Sequence, residues 1–167
     1  MLSKKMETAL NKQVNAELYS GYMYLAMSSY FESANLPGFA AWMKAQAGEE
    51  LGHAMKFFGY IVERGGTATL AAVDKPPAKW ESPLAVFEAT YAHECKVTGM
   101  INTLADTAAA ENDHATSVFL QWFITEQVEE EASADAVVQK LRLVKNAPNG
   151  LFMLDRELGQ RSAGGGD

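Results

Sequence analysis

Each of the four long helical-period segments in this chain carries a carboxylate on its apolar stripe, where a packed core excludes charge. Glu17 shares a stripe with Leu10, Val14, Tyr24 and Ser28. Glu50 shares one with Met43, Ala47, Ala54, Phe57 and Ile61, and Glu94 with Phe87, Tyr91, Thr98 and Ile101. In the last segment Leu120, Phe123, Ala134, Val137 and Leu141 define the stripe, with Gln127 and Glu130 within about 30° of its centre on opposite sides. His53 follows Glu50 by one turn on the same side. These spacings require helices. They also require those helices to face one another, because only a shared polar centre could make such a pattern tolerable.

Helical periodicity dominates and no alternating strand run is convincing, so the chain reads as all-α. The segments run from about residue 4 to 33, 38 to 64, 82 to 110 and 113 to 145. Asn35-Leu36-Pro37-Gly38, Gly65-Gly66 and Glu111-Asn112-Asp113 separate them. Ser82-Pro83 has the form of an N-cap followed by proline at the first helical position. The linker from 66 to 81 contains Pro76-Pro77 and is long enough to run back along the bundle, which makes the second and third helices parallel. The expected organisation is a four-helix bundle over residues 1–145 with one long crossover, a short fifth helix within 146–160 (LFMLDRELGQ), and a flexible tail over 161–167.

The polar pattern occurs twice. Glu17 and Glu94, Glu50 and Gln127, His53 and Glu130, and Glu49 and Glu126 are each separated by 77 positions. One half carries Glu then Glu-Glu-x-x-His, the other Glu then Glu-Gln-x-x-Glu. A pseudo-two-fold axis would bring both sets to one place, as paired helices do in carboxylate-bridged metal bundles. An unpaired buried carboxylate costs several kcal/mol, and four together repel as well. No lysine or arginine falls on these stripes near the acids. Cations would neutralise them, and oxygen ligands with one imidazole suit iron better than structural zinc.

Single residues have blander readings beside this one. A lone glutamate on an apolar stripe usually reaches solvent from its flank, and a lone histidine is usually a satisfied core residue. Four acids related by one repeat, and an imidazole three positions after one of them, argue against both. Tyr24 is either ordinary core or a hydrogen-bonding, redox-active neighbour of the metals. Gln127 is either a weak ligand or a positioning residue. Within Thr125–Ser133, Glu126 and Glu131 sit on the two flanks of the stripe and Glu129 well off it, so Glu131 reads as solvated or ion-paired. His93 and His114 read as surface or interface residues, and Trp42 and Trp122 as packing.

Bulk properties narrow the partners. A net charge of −7 disfavours nucleic acid and anionic membranes and suits cations. No segment has the run of about 20 apolar residues needed for a membrane span, and the N-terminus lacks the apolar stretch of a signal peptide. The single cysteine, Cys95, excludes an internal disulfide or a cysteine-based metal site. Together these predict a soluble, cytoplasmic protein.

Glu17, Glu50-x-x-His53, Glu94 and Gln127-x-x-Glu130 on an Ala-rich bundle with a short fifth helix resemble the non-haem ferritins. NAELYSGYMYLAMS, EELGHAMKF and FLQWFITEQVEEE are similar to the prokaryotic type, over about residues 3 to 160. The resemblance implies a ferroxidase with a di-iron centre. Glu17, Glu50 and His53 would hold one iron, and Glu50 would bridge to a second completed by Glu94 and Glu130, with Gln127 close by and Tyr24 adjacent. It implies a third iron position at Glu49, Glu126, Glu129 and Glu130. It also implies a homo-oligomeric shell of twenty-four subunits that takes Fe(II), oxidises it with O₂ or H₂O₂, and stores a ferric mineral. Residues 145–150 bear on whether the shell packs octahedrally or more openly. Bacterioferritin resembles the chain less: its second Glu-x-x-His is absent, and Leu51 stands where its haem-ligating methionine would fall, so no haem is expected. Rubrerythrin needs a cysteine-rich module, and small DNA-protecting ferritins build their site between subunits. The non-enzymatic alternatives are a bundle whose polar network only assembles a shell, and one that sequesters metal without oxidising it.

Overall fold

The computed structural model describes residues 1–145 and 147–161. Five helices account for the regular structure: α1 (Lys4–Ser33), α2 (Pro37–Glu63), α3 (Pro83–Ala110), α4 (His114–Leu143) and α5 (Pro148–Leu158). No strand is present among the described residues. The four long helices match the expected segments to within two residues at each end. The fifth begins earlier than the sequence suggested, because Pro148 occupies its first turn, where a missing N–H costs nothing.

Side chains close the helix starts as their types predict. Ser3 accepts from Met6 N at 3.0 Å, Ser82 from Ala85 N at 3.1 Å, and Asp113 from Thr116 N at 3.1 Å. Asn35 and Asn112 turn the chain through the left-handed region at φ 56° and 55°, a conformation asparagine tolerates. The crossover is stitched along α1. Asn11 donates to Thr67 O at 3.0 Å and accepts from Thr69 N at 2.6 Å, and Trp80 packs edge-on against Tyr30 near the other end of α1.

That course makes α2 and α3 parallel, and the packing bears this out. One apolar cluster joins Tyr24, Phe31, Phe39, Met43, Phe87 and Leu141; the other joins Leu10, Phe57, Ile61, Ile101, Leu120 and Phe123. Chain order along α2 and α3 runs from the first cluster to the second, and along α1 and α4 the reverse. Between the two clusters each long helix contributes its glutamate. The bundle is thus two apolar blocks with a polar layer across the middle.

α2 begins without a side-chain cap from its own segment. Asp155 of α5 supplies it, accepting from Gly38 N at 2.8 Å and Phe39 N at 3.0 Å, and is itself buried. The approach is so close that a Cβ on Gly38 would lie 1.6 Å from the Asp155 carbonyl oxygen, so only glycine fits. Asp155→Ala should cost about 1–2 kcal/mol through lost capping, and Gly38→Ala should force α5 off the bundle. Limited proteolysis checks this: cleavage within α5 should rise sharply in Gly38→Ala, and unchanged resistance would contradict the cap.

Candidate metal centre

The four glutamates meet as their stripes require. Glu17, Glu50, Glu94 and Glu130 are exposed by only 1, 2, 2 and 6%, so water cannot solvate them. Glu17, Glu50 and His53 bring one ligand atom each within 4.8 Å of one another, and so do His53, Glu126 and Glu130. His53 is the shared member. Its Nδ1 lies 3.4 Å from Glu50 Oε2 and its Nε2 3.9 Å from Glu126 Oε1. The rings of Trp122 and Phe123 stand edge-on to the imidazole at 5.4 and 6.1 Å between centroids, which holds its plane. Trp122 is partly exposed and carries Lys56 over its ring at 2.9 Å.

Amides and a phenol surround the acids. Gln13 Nε2 donates to Glu17 Oε1 at 2.7 Å. Gln46 Nε2 donates both to Glu50 Oε1 at 3.0 Å and to Glu130 Oε2 at 2.8 Å. Gln127 Nε2 reaches Glu94 Oε2 at 3.3 Å and the Glu94 carbonyl at 3.2 Å, and the Tyr24 hydroxyl donates to Glu94 Oε1. Glu94 belongs to neither group of three and is held by these two donors instead. Glu17 Oε2 has no hydrogen-bond partner among the described residues although it is fully buried. A buried carboxyl oxygen without a donor, beside an imidazole and a second carboxylate, has the chemistry of a cation ligand.

Burial raises the proton affinity of every acid in the layer. Desolvation and the neighbouring Glu50 charge push Glu17 well above the usual carboxylate range. Glu50 rises through desolvation and the charges of Glu94 and Glu130, and Glu94 rises chiefly through desolvation. Glu130 is pushed to about 7 by desolvation and then by Glu94. Tyr24 is raised for the same reasons, so its hydroxyl stays protonated and donates.

The outer acids of the Thr125–Ser133 run divide. Glu126 joins His53 and Glu130, whereas Glu129 is exposed and belongs to neither group of three. Glu49 turns to Arg161, whose Nη2 donates to its Oε2 at 2.6 Å. Glu131 is not a free surface acid: Thr98 donates to it at 2.5 Å, and Gln127 in turn reaches Thr98 at 3.3 Å. His93 is half-buried: its Nε2 lies 2.8 Å from Ser20 Oγ, and burial lowers its pKa to about 4. Tyr91, placed on the Glu94 stripe, is instead partly exposed. Two buried residues escaped the sequence reading, Gln13 and Gln46. Each lies four positions before a layer glutamate, and that shared offset was the available signal.

A family model, the ferritin-like domain, matches residues 7–144. The chain is 47% identical over 161 residues to a bacterial non-heme ferritin of Bacteroides fragilis, covering 96% of this chain and all of that one. It is 40% identical over 156 residues to one from Campylobacter jejuni, covering 93% of each. Among solved structures, an open pore ferritin from the archaeon Archaeoglobus fulgidus superposes with a TM-score of 0.96 at 53% identity, covering 97% of this chain and 100% of that one. The chain belongs to the ferritin-like domain family. No helix among the described residues is long and apolar enough to cross a membrane.

The raised acids give the cation-free protein a particular pH response. Glu130 holds its proton more tightly folded than at the ordinary carboxylate value of 4.5, so its stabilising contribution is complete below about 4.5 and lost as pH rises through about 7. Thermal midpoints of metal-free protein should therefore fall between pH 5 and 8, and Glu130→Gln, which cannot ionise, should fall less. Parallel curves would show that Glu130 ionises without penalty.

Proposed function

We propose that this protein is a ferroxidase and iron store: it oxidises Fe(II) at the buried layer and holds the ferric product as a mineral inside a shell of its own copies. The observation that carries this reading is the unpartnered, buried Oε2 of Glu17 beside Glu50 and His53. In this reading Glu17, Glu50 and His53 bind one Fe(II), Glu50 bridges to a second, and Glu94 and Glu130 complete it. Gln127 and Tyr24 hold Glu94 in place by the hydrogen bonds described above. Two Fe(II) give one electron each to O₂, which takes two protons and leaves as H₂O₂; H₂O₂ as oxidant would take two electrons and two protons to leave as two waters. The acids whose proton affinity burial has raised release protons when iron replaces them. Carboxylates favour Fe(III) over Fe(II), so the ligand set drives the oxidation forward.

A third iron position then lies outward, at Glu126 and Glu130 with Glu49 and Glu129, on the path from the oxidation site to the mineral. Relatives named as non-heme ferritins support iron as the cargo. Assembly is supported by an apolar outer face: Tyr22 and Leu25 on α1 and Leu51, Met55 and Val62 on α2 are all about half exposed. A twenty-four-subunit shell would have a mass near 440 kDa from chains of 18.2 kDa, which light scattering after size exclusion would read. Lys145 and Ala147 lie between α4 and α5 and residues 148–150 open α5, where a change in helix angle would shift packing toward an octahedral or a more open shell; Asn146 lies outside the described residues.

Stopped-flow absorbance after mixing metal-free protein with Fe(II) in air tests the chemistry. His53→Ala should slow the fast oxidation phase at least about a hundredfold, the scale expected when a metal-site residue is lost. Wild-type oxidation no faster than buffer would leave only the binding-without-oxidation reading. Glu129→Ala should spare the first turnover but slow the response to a second addition of Fe(II), and an unchanged second response would remove Glu129 from the iron path.

A further inference from the structure

Arg161 follows the last residue of α5 by three positions, in the segment the sequence reading assigned to a flexible tail. Of that segment, residues 162–167 lie outside the described residues, but Arg161 itself is anchored. Its guanidinium stands 4.4 Å over the Trp42 ring, donates through Nη1 to Gln46 Oε1 at 2.9 Å, and through Nη2 to Glu49 Oε2 at 2.6 Å. The two side chains of the ion pair are each about 23% exposed, so solvent screens them less than a surface pair.

The bond to Gln46 matters because of what that amide does. With its oxygen held by Arg161, the amide must point its NH₂ inward, where it donates to Glu50 and Glu130 together. A planar fork can bind an amide oxygen and a carboxylate at the same time; an ammonium on a flexible stem is not pre-organised to do so. One cation therefore contacts Glu49 and also orients the amide that spans two acids of the buried layer. On the opposite flank Lys56 sits over Trp122 with its ammonium in the field of Glu126. Glu49, unlike Glu126, is already neutralised by a bonded partner.

We propose that Arg161 is a built-in competitor for iron at Glu49: it pairs with that acid and must be displaced for iron to settle there. This rests on the third iron position proposed above, and adds to it a brake on that position. Arriving Fe(II) exchanges a guanidinium for a divalent cation on Glu49. The released guanidinium also loosens Gln46, so occupancy outside is felt at Glu50 and Glu130.

Anaerobic calorimetric titration of the assembled full-length protein with Zn(II), a redox-inert probe, separates these claims. Wild-type protein should show two tight sites per chain and one weaker. Arg161→Gln should tighten the weaker site about tenfold by removing a competing charge from its ligand, and Arg161→Lys, which keeps the charge, should stay near wild type. In a Glu49→Gln background the gain should vanish. If Arg161 only pins the chain end to Trp42, Arg161→Gln will lower the thermal midpoint with the weak-site affinity unchanged, and the proposal fails. A gain that persists without Glu49 also overturns it. Absence of the two tight sites in wild-type protein would instead overturn the dinuclear reading. A weaker site missing from wild type and Arg161→Gln alike would overturn the third iron position itself.

Discussion

Four carboxylates packed against one another out of reach of water form the constraint on which the rest of this structure depends. Each would lose several kcal/mol of hydration when buried as an anion, and each raises the cost of ionising its neighbours. The protein does not relieve this with a lysine or arginine inside the layer. It lets the proton affinities rise and leaves one oxygen of Glu17 without a partner. Protonation relieves the repulsion within the layer, and its carboxylates and imidazole are grouped closely enough to offer ligands to a cation.

Holding four repelling groups in register requires rigidity on both sides, and the two apolar blocks supply it. Phe31, Phe39 and Phe87 pack above the layer and Phe57, Phe119 and Phe123 below it, with ring centroids 4.0 to 6.1 Å apart. Around the acids, Gln13, Gln46, Gln127 and Tyr24 donate hydrogen bonds that fix carboxylate rotamers. These donors are neutral, so they orient the acids without cancelling the charge that attracts a cation. The same logic places the aromatic edges of Trp122 and Phe123 against His53, where a charged neighbour would compete for its nitrogens.

Helical period and the 77-position repeat carried most of the layer in plain view, because side-chain direction on a long helix follows directly from spacing. The parallel course of α2 and α3 was legible for a similar reason: a linker of that length between rods of that length has few routes. Contacts made across the fold were not legible. Asp155 caps α2 from 117 positions away, and Arg161 reaches Gln46 from 115 positions away, and no local pattern announces either. The contact of His93 with Ser20 was equally hidden, because Ser20 is on α1. Glu131 was read as solvated or ion-paired, and its hydrogen bond from Thr98 was not legible because Thr98 lies on α3.

The central claim is that the layer binds two irons through Glu17, Glu50, His53, Glu94 and Glu130. Crystals of the metal-free protein soaked anaerobically in Fe(II), with anomalous scattering measured on both sides of the iron absorption edge, test it directly. The account predicts two iron peaks per chain inside the bundle, one touching Glu17 and His53, the other Glu94 and Glu130, with Glu50 reaching both. Iron found only on exposed acids, with the layer unchanged and empty, would contradict it.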